Sequence, residues 1–186
     1  MTVQAIVTAP QPSEPQEGTV PPQDGAYGEA IQLRQQIVEE ARSWIRTPYH
    51  RRAWIKGVGA DCGTLPYAVC RKFNLIPEIA ELPVLEDGWF ANTTDQRYAR
   101  IVERYFRRLV ESQSRRDLQP EFLPGNIVLV QSWGSRVYNH AGIITSWPRV
   151  VNALPDYGVA EVDASTDQFW ALQKIAVYDV LSGGGK

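Results

Sequence analysis

The sequence predicts an α+β fold in which N-terminal helices pack on a C-terminal antiparallel sheet. In the first half of the chain, apolar residues recur at the spacing of amphipathic helices. The second half instead contains short β-branched segments that are separated by Gly, Pro or Asp, as strands are. Helices that are followed by strands, without alternation between the two, indicate an antiparallel sheet.

The composition fits one globular domain. The chain has 186 residues, of which 44% are hydrophobic and 22% are charged. Its formal net charge of −2 gives no overall attraction to nucleic acid, so we expect no nucleic-acid partner. No apolar run approaches the roughly 20 residues that cross a bilayer, and the N-terminus does not resemble a secretory signal. We therefore expect a chain without a membrane span that is made in the cytoplasm.

Residues 1–28 are predicted to be a tail that is flexible or bound to a partner. They include five prolines, three glycines and three acidic residues, but no Lys or Arg. A segment of this composition cannot bury enough apolar surface to fold alone. The predicted domain therefore spans residues 29–182, and the Gly-rich residues 183–186 are expected to form a frayed end.

Three helices are predicted in the first half, over residues 29–46, 62–73 and 94–110. Pro48 follows the first helix and prevents its continuation. Asp61 is the expected N-cap of the second, which would place Cys62 at the start of that helix.

Seven arginines lie between Arg97 and Arg116, on and just after the third predicted helix. They fit a solvated face that is balanced by neighbouring acids, and they equally fit a surface that contacts an acidic partner.

Five strands are predicted in the second half. They share short length, β-branched residues and flanking turn residues. Their ranges are 127–131, 141–146, 149–154, 159–163 and 175–181.

Cys62 is a candidate nucleophile. A thiol gains reactivity when its pKa falls, and a helix N-terminus with a nearby imidazole has that effect. Glycines at 57, 59 and 63 leave the backbone uncluttered, and the N–H of Gly63 is a candidate donor to an oxyanion. The alternative is a buried structural cysteine, which is the expected role of Cys70. Eight residues along one helix span about 12 Å, too far for a disulfide, so both thiols are predicted to be free.

The candidate base is one of the two histidines, His50 or His140. His140 opens an apolar strand, which holds a side chain more rigidly than the loop around His50 does. A base also needs a polar group that orients its ring, and Asn152 in the following strand could supply an amide oxygen. Three further residues compete with Asn152 for that role: Asn139, Asp156 and Asp163.

Residues 41–70, which read ARSWIRTPYHRRAWIKGVGADCGTLPYAVC, resemble the opening of the NlpC family of cell-wall endopeptidases, especially the versions encoded among bacteriophage tail genes. Two further segments resemble the same family: Pro124-Gly125-Asn126 before a strand, and Asn139-His140-Ala141-Gly142-Ile143. The resemblance covers about residues 30–181.

The resemblance implies a papain-like NlpC-type fold with Cys62 as nucleophile, His140 as base and Asn152 as the third polar residue. Many relatives have a histidine at the third position, but an amide oxygen can also accept the imidazole N–H. Tyr49 corresponds to a tyrosine at the edge of the site, where its hydroxyl would help to bind substrate or oxyanion; simple packing is the alternative. No metal and no organic cofactor is implied.

The resemblance also implies hydrolysis of peptide bonds in peptidoglycan stem peptides. The segment Leu82–Leu109 resembles an insertion of the phage-tail members, so a helical insertion is expected around residues 74–120. We therefore expect a virion component, made in the host cytoplasm and acting on the periplasmic cell wall, which contacts other tail proteins through residues 1–28.

Two other functions remain open. The chain could be a structural or assembly protein of a tail tip, in which the peptidase fold is a docking module. It could also be a related acyltransferase or amidase that acts on a host metabolite.

Overall fold

The structure, a computed structural model, describes residues 24–78, 88–112, 122–132, 134–167, 169–170 and 173–183. Within these ranges there are three helices and eight strands. The helices are α1 (Asp24–Ser43), α2 (Thr64–Lys72) and α3 (Arg97–Glu103). The strands are β1 (Trp54–Ile55), β2 (Gly59–Ala60), β3 (Phe106–Ser112), β4 (Ile127–Val130), β5 (His140–Ser146), β6 (Arg149–Leu154), β7 (Gly158–Asp163) and β8 (Ile175–Gly183).

Six strands form one antiparallel sheet in the order β3-β8-β4-β5-β6-β7. The two-residue strands β1 and β2 pair separately as a small hairpin before α2. All five strands that the sequence predicts are present within one or two residues of their predicted ends. The prediction of an α+β fold with an antiparallel sheet is confirmed.

The sheet buries apolar residues on both faces, because alternate side chains of a strand point to opposite sides. One set packs with residues of α1 and α2 in the larger core cluster, and it includes Ile127, Leu129, Ala141, Ile143, Val151 and Ala153. The other set forms a second cluster with Phe122 and Trp170, and it includes Val128, Val130, Ile144, Val150 and Val177. His140 and Asn152 alternate with the first set and therefore belong to the second face.

A buried ionic network ties α1 to the sheet. The guanidinium of Arg34 donates to Asn126 Oδ1 at 2.7 Å, to the Pro124 carbonyl at 3.1 Å and to Asp179 Oδ1 at 2.5 Å. A nearly buried guanidinium is costly unless its donors are satisfied, so these three bonds hold α1 against the start of β4 and against β8.

The first helix begins earlier than predicted. α1 starts at Asp24, so residues 24–28 are helical although the sequence placed them in a tail. Gly25 and Gly28 lower helix propensity by about 1 kcal/mol each relative to Ala, but the buried stripe of the same helix, which includes Ile37 and Ala41, packs on the core. The rest of the predicted tail, residues 1–23, lies outside the described residues, as do residues 184–186.

The third predicted helix is wrong beyond its first two turns. α3 ends at Glu103, and Phe106–Ser112 is instead strand β3, which pairs with β8 at the edge of the main sheet. Local spacing favoured a helix, but β8 offers a row of backbone donors and acceptors, and aromatic and β-branched residues suit a strand. Part of the expected helical insertion is therefore a sheet strand, while residues 79–87 and 113–121 lie outside the described residues.

The described arginines of this region are largely paired with neighbouring acids. Arg97 and Arg100 contact Asp95, and Arg108 contacts Glu103 and Glu111. These contacts support the interpretation as a balanced, solvated face. Separately, none of the helices in the described part of the chain is both long and apolar enough to cross a membrane.

Candidate active site

Cys62 lies in the turn between β2 and α2, and the carboxylate of Asp61 holds that turn in place. Asp61 Oδ1 accepts the N–H groups of Gly63 at 2.9 Å and Thr64 at 2.8 Å. Asp61 Oδ2 accepts the N–H of Arg52 at 2.7 Å. One side chain therefore fixes the backbone on both sides of the thiol, much as an N-cap would.

The α2 N-cap is Gly63, two residues later than predicted. The Asp61 carboxylate accepts the N–H groups of Gly63 and Thr64 at the start of α2. The N–H groups at this helix terminus were expected to stabilise the thiolate instead.

The sulfur of Cys62 lies along the backbone edge of β5. Its S–H donates to the carbonyl of Asn139 at 3.9 Å, and the N–H groups of Ala141 and of Cys62 itself face the sulfur. Asn139 and Ala141 are the two neighbours of His140 in the chain. The structure thus brings the predicted nucleophile to the strand end that carries the predicted base, although the sulfur bonds to the backbone rather than to the imidazole.

His140 and Asn152 form the second half of the site. His140 Nε2 and Asn152 Oδ1 are 2.9 Å apart, and the Asn152 amide donates to the Ala160 carbonyl at 3.3 Å. Because the Asn152 amide is engaged with Ala160, its oxygen faces the ring and requires a proton on Nε2. The proton-free nitrogen is then Nδ1.

Two aromatic rings cover the imidazole. Phe169 and Trp170 approach His140 edge to face, with ring centroids 4.6 Å and 5.6 Å away. Asp167 Oδ1 accepts the N–H groups of both aromatic residues, at 2.9 Å and 3.3 Å, and so shapes the turn that brings them there. This cover leaves His140 only 5% exposed.

Burial favours the neutral forms of both the predicted nucleophile and the predicted base. It lowers the pKa of His140 to about 4, against the hydrogen bond to Asn152 and the charges of Asp167 and Asp61, which raise it. Burial also raises the pKa of the Cys62 thiol to about 12, and the Asp61 carboxylate raises it further. The thiol pKa is thus raised and not lowered as expected, because burial disfavours the thiolate and because the Asp61 carboxylate occupies the helix terminus that was expected to stabilise it.

Tyr49 lies close enough to Cys62 for the two groups to interact electrostatically. It is half-buried, bridges to Ala60, and has its pKa raised to about 12 by burial and by the proximity of Cys62 and Asp61. A hydroxyl with that pKa stays protonated at neutral pH and remains a donor.

The role expected for Gly63 does not fit the structure, because its N–H is already donated to Asp61. The N–H groups of Ala141 and of Cys62 itself remain as backbone donors at the thiol.

The rival residues have other partners. The N–H of His50 donates to the Ala60 carbonyl, and its side chain lies where a side chain on Gly59 would otherwise fit. Asn139 bonds Ser132 through both ends of its carboxamide, and Asp163 accepts from Ser165. Asp156 is exposed in the turn between β6 and β7. Cys70 is buried in the core, as predicted.

Sequence reasoning missed several contributors to this site. Asp167, Phe169 and Trp170 are distant from His140 in the chain, and no local spacing connects them to it. Tyr98 donates its hydroxyl to the Cys62 carbonyl at 3.0 Å, a contact that its helical spacing in the sequence does not indicate. In the described part of the chain, no three His, Cys, Asp or Glu side chains are grouped as metal ligands.

Comparisons with known proteins identify the fold of this chain. No family model and no curated protein sequence matches this chain. An NlpC/p60 family protein from Bacillus cereus is structurally similar, with a TM-score of 0.50 and 12% sequence identity. That match covers 80% of this chain, which spans only 40% of the Bacillus cereus protein. This chain has an NlpC/p60-type fold.

A second similar structure is the NlpC/p60 domain of the peptidoglycan hydrolase SagA, at a TM-score of 0.47 and 16% identity. That match covers 77% of this chain and 97% of the domain. The NlpC-type fold expected from the sequence resemblance therefore stands on the Bacillus cereus match. Sequence identities this low establish fold and not activity.

We expect His140 to titrate far below an ordinary histidine. Its pKa of about 4 means that the ring is neutral above that pH and carries a proton below it. Histidine ring signals followed by NMR from pH 3 to 8 should show one midpoint near 4, and a His140→Gln variant should lack that signal. A midpoint for His140 at or above an ordinary histidine pKa of about 6.5 would contradict the burial argument.

Proposed function

We propose that this chain is a cysteine peptidase that hydrolyses peptide bonds in peptidoglycan stem peptides. The observation that carries the proposal is the 2.9 Å contact between His140 Nε2 and Asn152 Oδ1, with the sulfur of Cys62 at the edge of the same strand. This arrangement fixes the tautomer that a general base needs and leaves Nδ1 without a proton. The choice of substrate rests on the sequence resemblance to cell-wall endopeptidases.

In the proposed first step, the sulfur attacks the carbonyl carbon of the scissile bond while its proton passes to His140 Nδ1. Collapse of the tetrahedral intermediate breaks the C–N bond, and the imidazolium gives its proton to the departing amine. A thioester to Cys62 remains. Water then loses a proton to His140 and attacks the thioester, which releases the carboxylic acid and restores the thiol.

This step requires a rotation of the Cys62 side chain. At rest the S–H points to the Asn139 carbonyl, and attack needs the sulfur to face Nδ1 of His140 instead. Because Asn139 immediately precedes His140 in the chain, we propose that a rotation of the Cys62 side chain makes this change. Substrate that displaces the S–H from the carbonyl would favour the reactive position.

Two donors are available for the oxyanion. The Cys62 N–H lies next to the sulfur, and the Tyr49 hydroxyl lies close enough for the charge of Cys62 to raise the pKa of Tyr49. Donors aimed at a developing negative charge usually contribute the largest electrostatic stabilisation in acyl transfer.

Replacement of Cys62 by Ala should abolish release of stem-peptide fragments from purified sacculi, a loss of at least about 1,000-fold in rate, because it removes the proposed nucleophile. Cys70→Ala is the matched control, since Cys70 is buried in the core and should leave the activity in place. Soluble fragments would be counted by mass spectrometry. Equal release by Cys62→Ala and the native chain would end the proposal.

Tyr49→Phe should lower kcat about 100-fold with little change in KM, because the hydroxyl is needed only when the oxyanion forms. Tyr157→Phe is the control, since Tyr157 is exposed in the turn between β6 and β7. Steady-state rates on a defined stem peptide would measure both. A similar kcat for the Tyr49 and Tyr157 variants would favour simple packing of Tyr49.

We further propose that the chain acts in a bacteriophage tail and binds other tail proteins through its N-terminal region. Tyr27 and Ile31, which lie one helical turn apart at the start of α1, are 66% and 42% exposed and follow residues 1–23. A tail-tip docking role without catalysis is the alternative that this apolar pair also supports.

Phage particles that carry the gene should contain the chain after gradient purification, as detected by mass spectrometry. Removal of residues 1–23 together with Tyr27→Ala and Ile31→Ala should leave it in the soluble fraction, while Tyr157→Ala should not. Absence of the native chain from particles would exclude a tail location. Incorporation of a chain without hydrolase activity would favour the docking role.

A further inference from the structure

Proline at position 66 leaves one backbone acceptor at the start of α2 without its helical donor. The carbonyl of Asp61 accepts from Leu65 at 3.0 Å, and that of Gly63 accepts from Tyr67 at 3.4 Å. By the same spacing, the carbonyl of Cys62 would accept from residue 66, but Pro66 has no N–H. The nucleophile's own carbonyl must therefore find a donor elsewhere.

Tyr98 supplies that donor. Its hydroxyl donates to the Cys62 carbonyl at 3.0 Å, and its side chain is only 8% exposed within the larger core cluster. Burial and the proximity of Cys62 and Asp61 raise the pKa of Tyr98 well above its usual value, so the hydroxyl keeps its proton and remains a donor. The bond comes from α3, far along the chain from Cys62.

Gln96, the N-cap residue of α3, contacts the segment that precedes His140. Gln96 Oε1 accepts the N–H of Tyr138 at 3.0 Å, and Gln96 Nε2 donates to the Arg136 carbonyl at 3.2 Å. The segment 136–138 leads directly into Asn139, whose carbonyl receives the thiol, and into His140. Two side chains at the start of α3 therefore contact both the nucleophile turn and the approach to the base.

We propose that the start of α3 is a clamp that sets the thiol of Cys62 against His140, with Tyr98 and Gln96 as positioning residues for the reaction. This inference rests on the proposed peptidase function and adds residues that neither touch substrate nor react. Tyr98 fixes the orientation of the peptide that follows Cys62, and Gln96 fixes the loop that precedes His140. Small displacements of the thiol or the imidazole slow the chemical step strongly, because the reacting atoms must meet at about 3 to 3.5 Å.

Tyr98→Phe tests the first contact, because it removes the hydroxyl and keeps the ring. We expect kcat to fall about tenfold with KM within about twofold, since the chemical step and not substrate binding is disturbed. Alkylation of Cys62 by iodoacetamide should slow by a similar factor between pH 7 and 10, as followed by peptide mapping. Tyr105→Phe is the matched control, which removes a hydroxyl from the same segment of chain.

A rescue separates positioning from packing. Pro66→Ala restores an N–H at the position that faces the Cys62 carbonyl, so Pro66→Ala with Tyr98→Phe should return kcat and alkylation to within about threefold of the native chain. Pro66→Ala alone should also stay within that range. A packing defect at Tyr98 would not respond to a new backbone donor on α2.

Gln96→Ala tests the second contact and remains informative if Tyr98→Phe fails to fold, because Gln96 is only partly buried. It should slow kcat and Cys62 alkylation without a change in KM. The clamp would be overturned by native rates in both single variants, or by a Tyr98→Phe defect that Pro66→Ala leaves unchanged. If the native chain does not hydrolyse sacculi, the peptidase proposal fails, whereas the alkylation rates still test the clamp.

Discussion

The site depends on the register between β5 and β6, since this register decides which side chain orients His140. Gly142 pairs with Asn152, so Asn152 is the diagonal neighbour of His140 on the same face of the sheet. The carboxamide can cross that diagonal because Gly142 presents no side chain between them. A Cβ at Gly142 would lie 3.2 Å from the Cβ of Asn152 and 2.3 Å from a methyl group of Val150. A shift of one residue would turn Asn152 to the opposite face.

Burial explains why the proposed catalytic pair, Cys62 and His140, rests uncharged. A thiolate at Cys62 or an imidazolium at His140 would each lose its hydration in this buried site. Burial therefore raises the pKa of Cys62 and lowers that of His140. When the proton moves from sulfur to imidazole, however, both charges appear together and attract each other in a water-poor site. In the proposed reaction, the ion pair is costly in the free protein and becomes accessible when substrate completes the site. A peptidase that works in this way would keep its thiol protonated between encounters with substrate.

The part of this structure that could be predicted from sequence is the part set by neighbours in the chain. Alternating β-branched residues predicted the five C-terminal strands, and the turn at Cys62 and the strand at His140 were visible as local motifs. β3 was missed because its identity depends on pairing with β8, some seventy residues away. The aromatic cover of His140 was missed for the same reason, and so was the use of the α2 amides by Asp61, which competes with the thiol for the helix terminus.

Pro66 removes a hydrogen bond from α2 and thereby leaves the Cys62 carbonyl free to bond to α3. Considered alone, a proline in the first turn of α2 removes a donor that the helix could have used, and a better helix former at this position would make α2 self-sufficient. In the folded chain, the unpaired Cys62 carbonyl instead accepts a bond from α3, a helix that also contacts the loop before His140. The segment that looked like an appended insertion is therefore built into the sheet through β3 and into the site through α3. If the start of α3 acts as the proposed clamp, a chain in which this segment is displaced would keep Cys62, His140 and Asn152 and still lack their geometry.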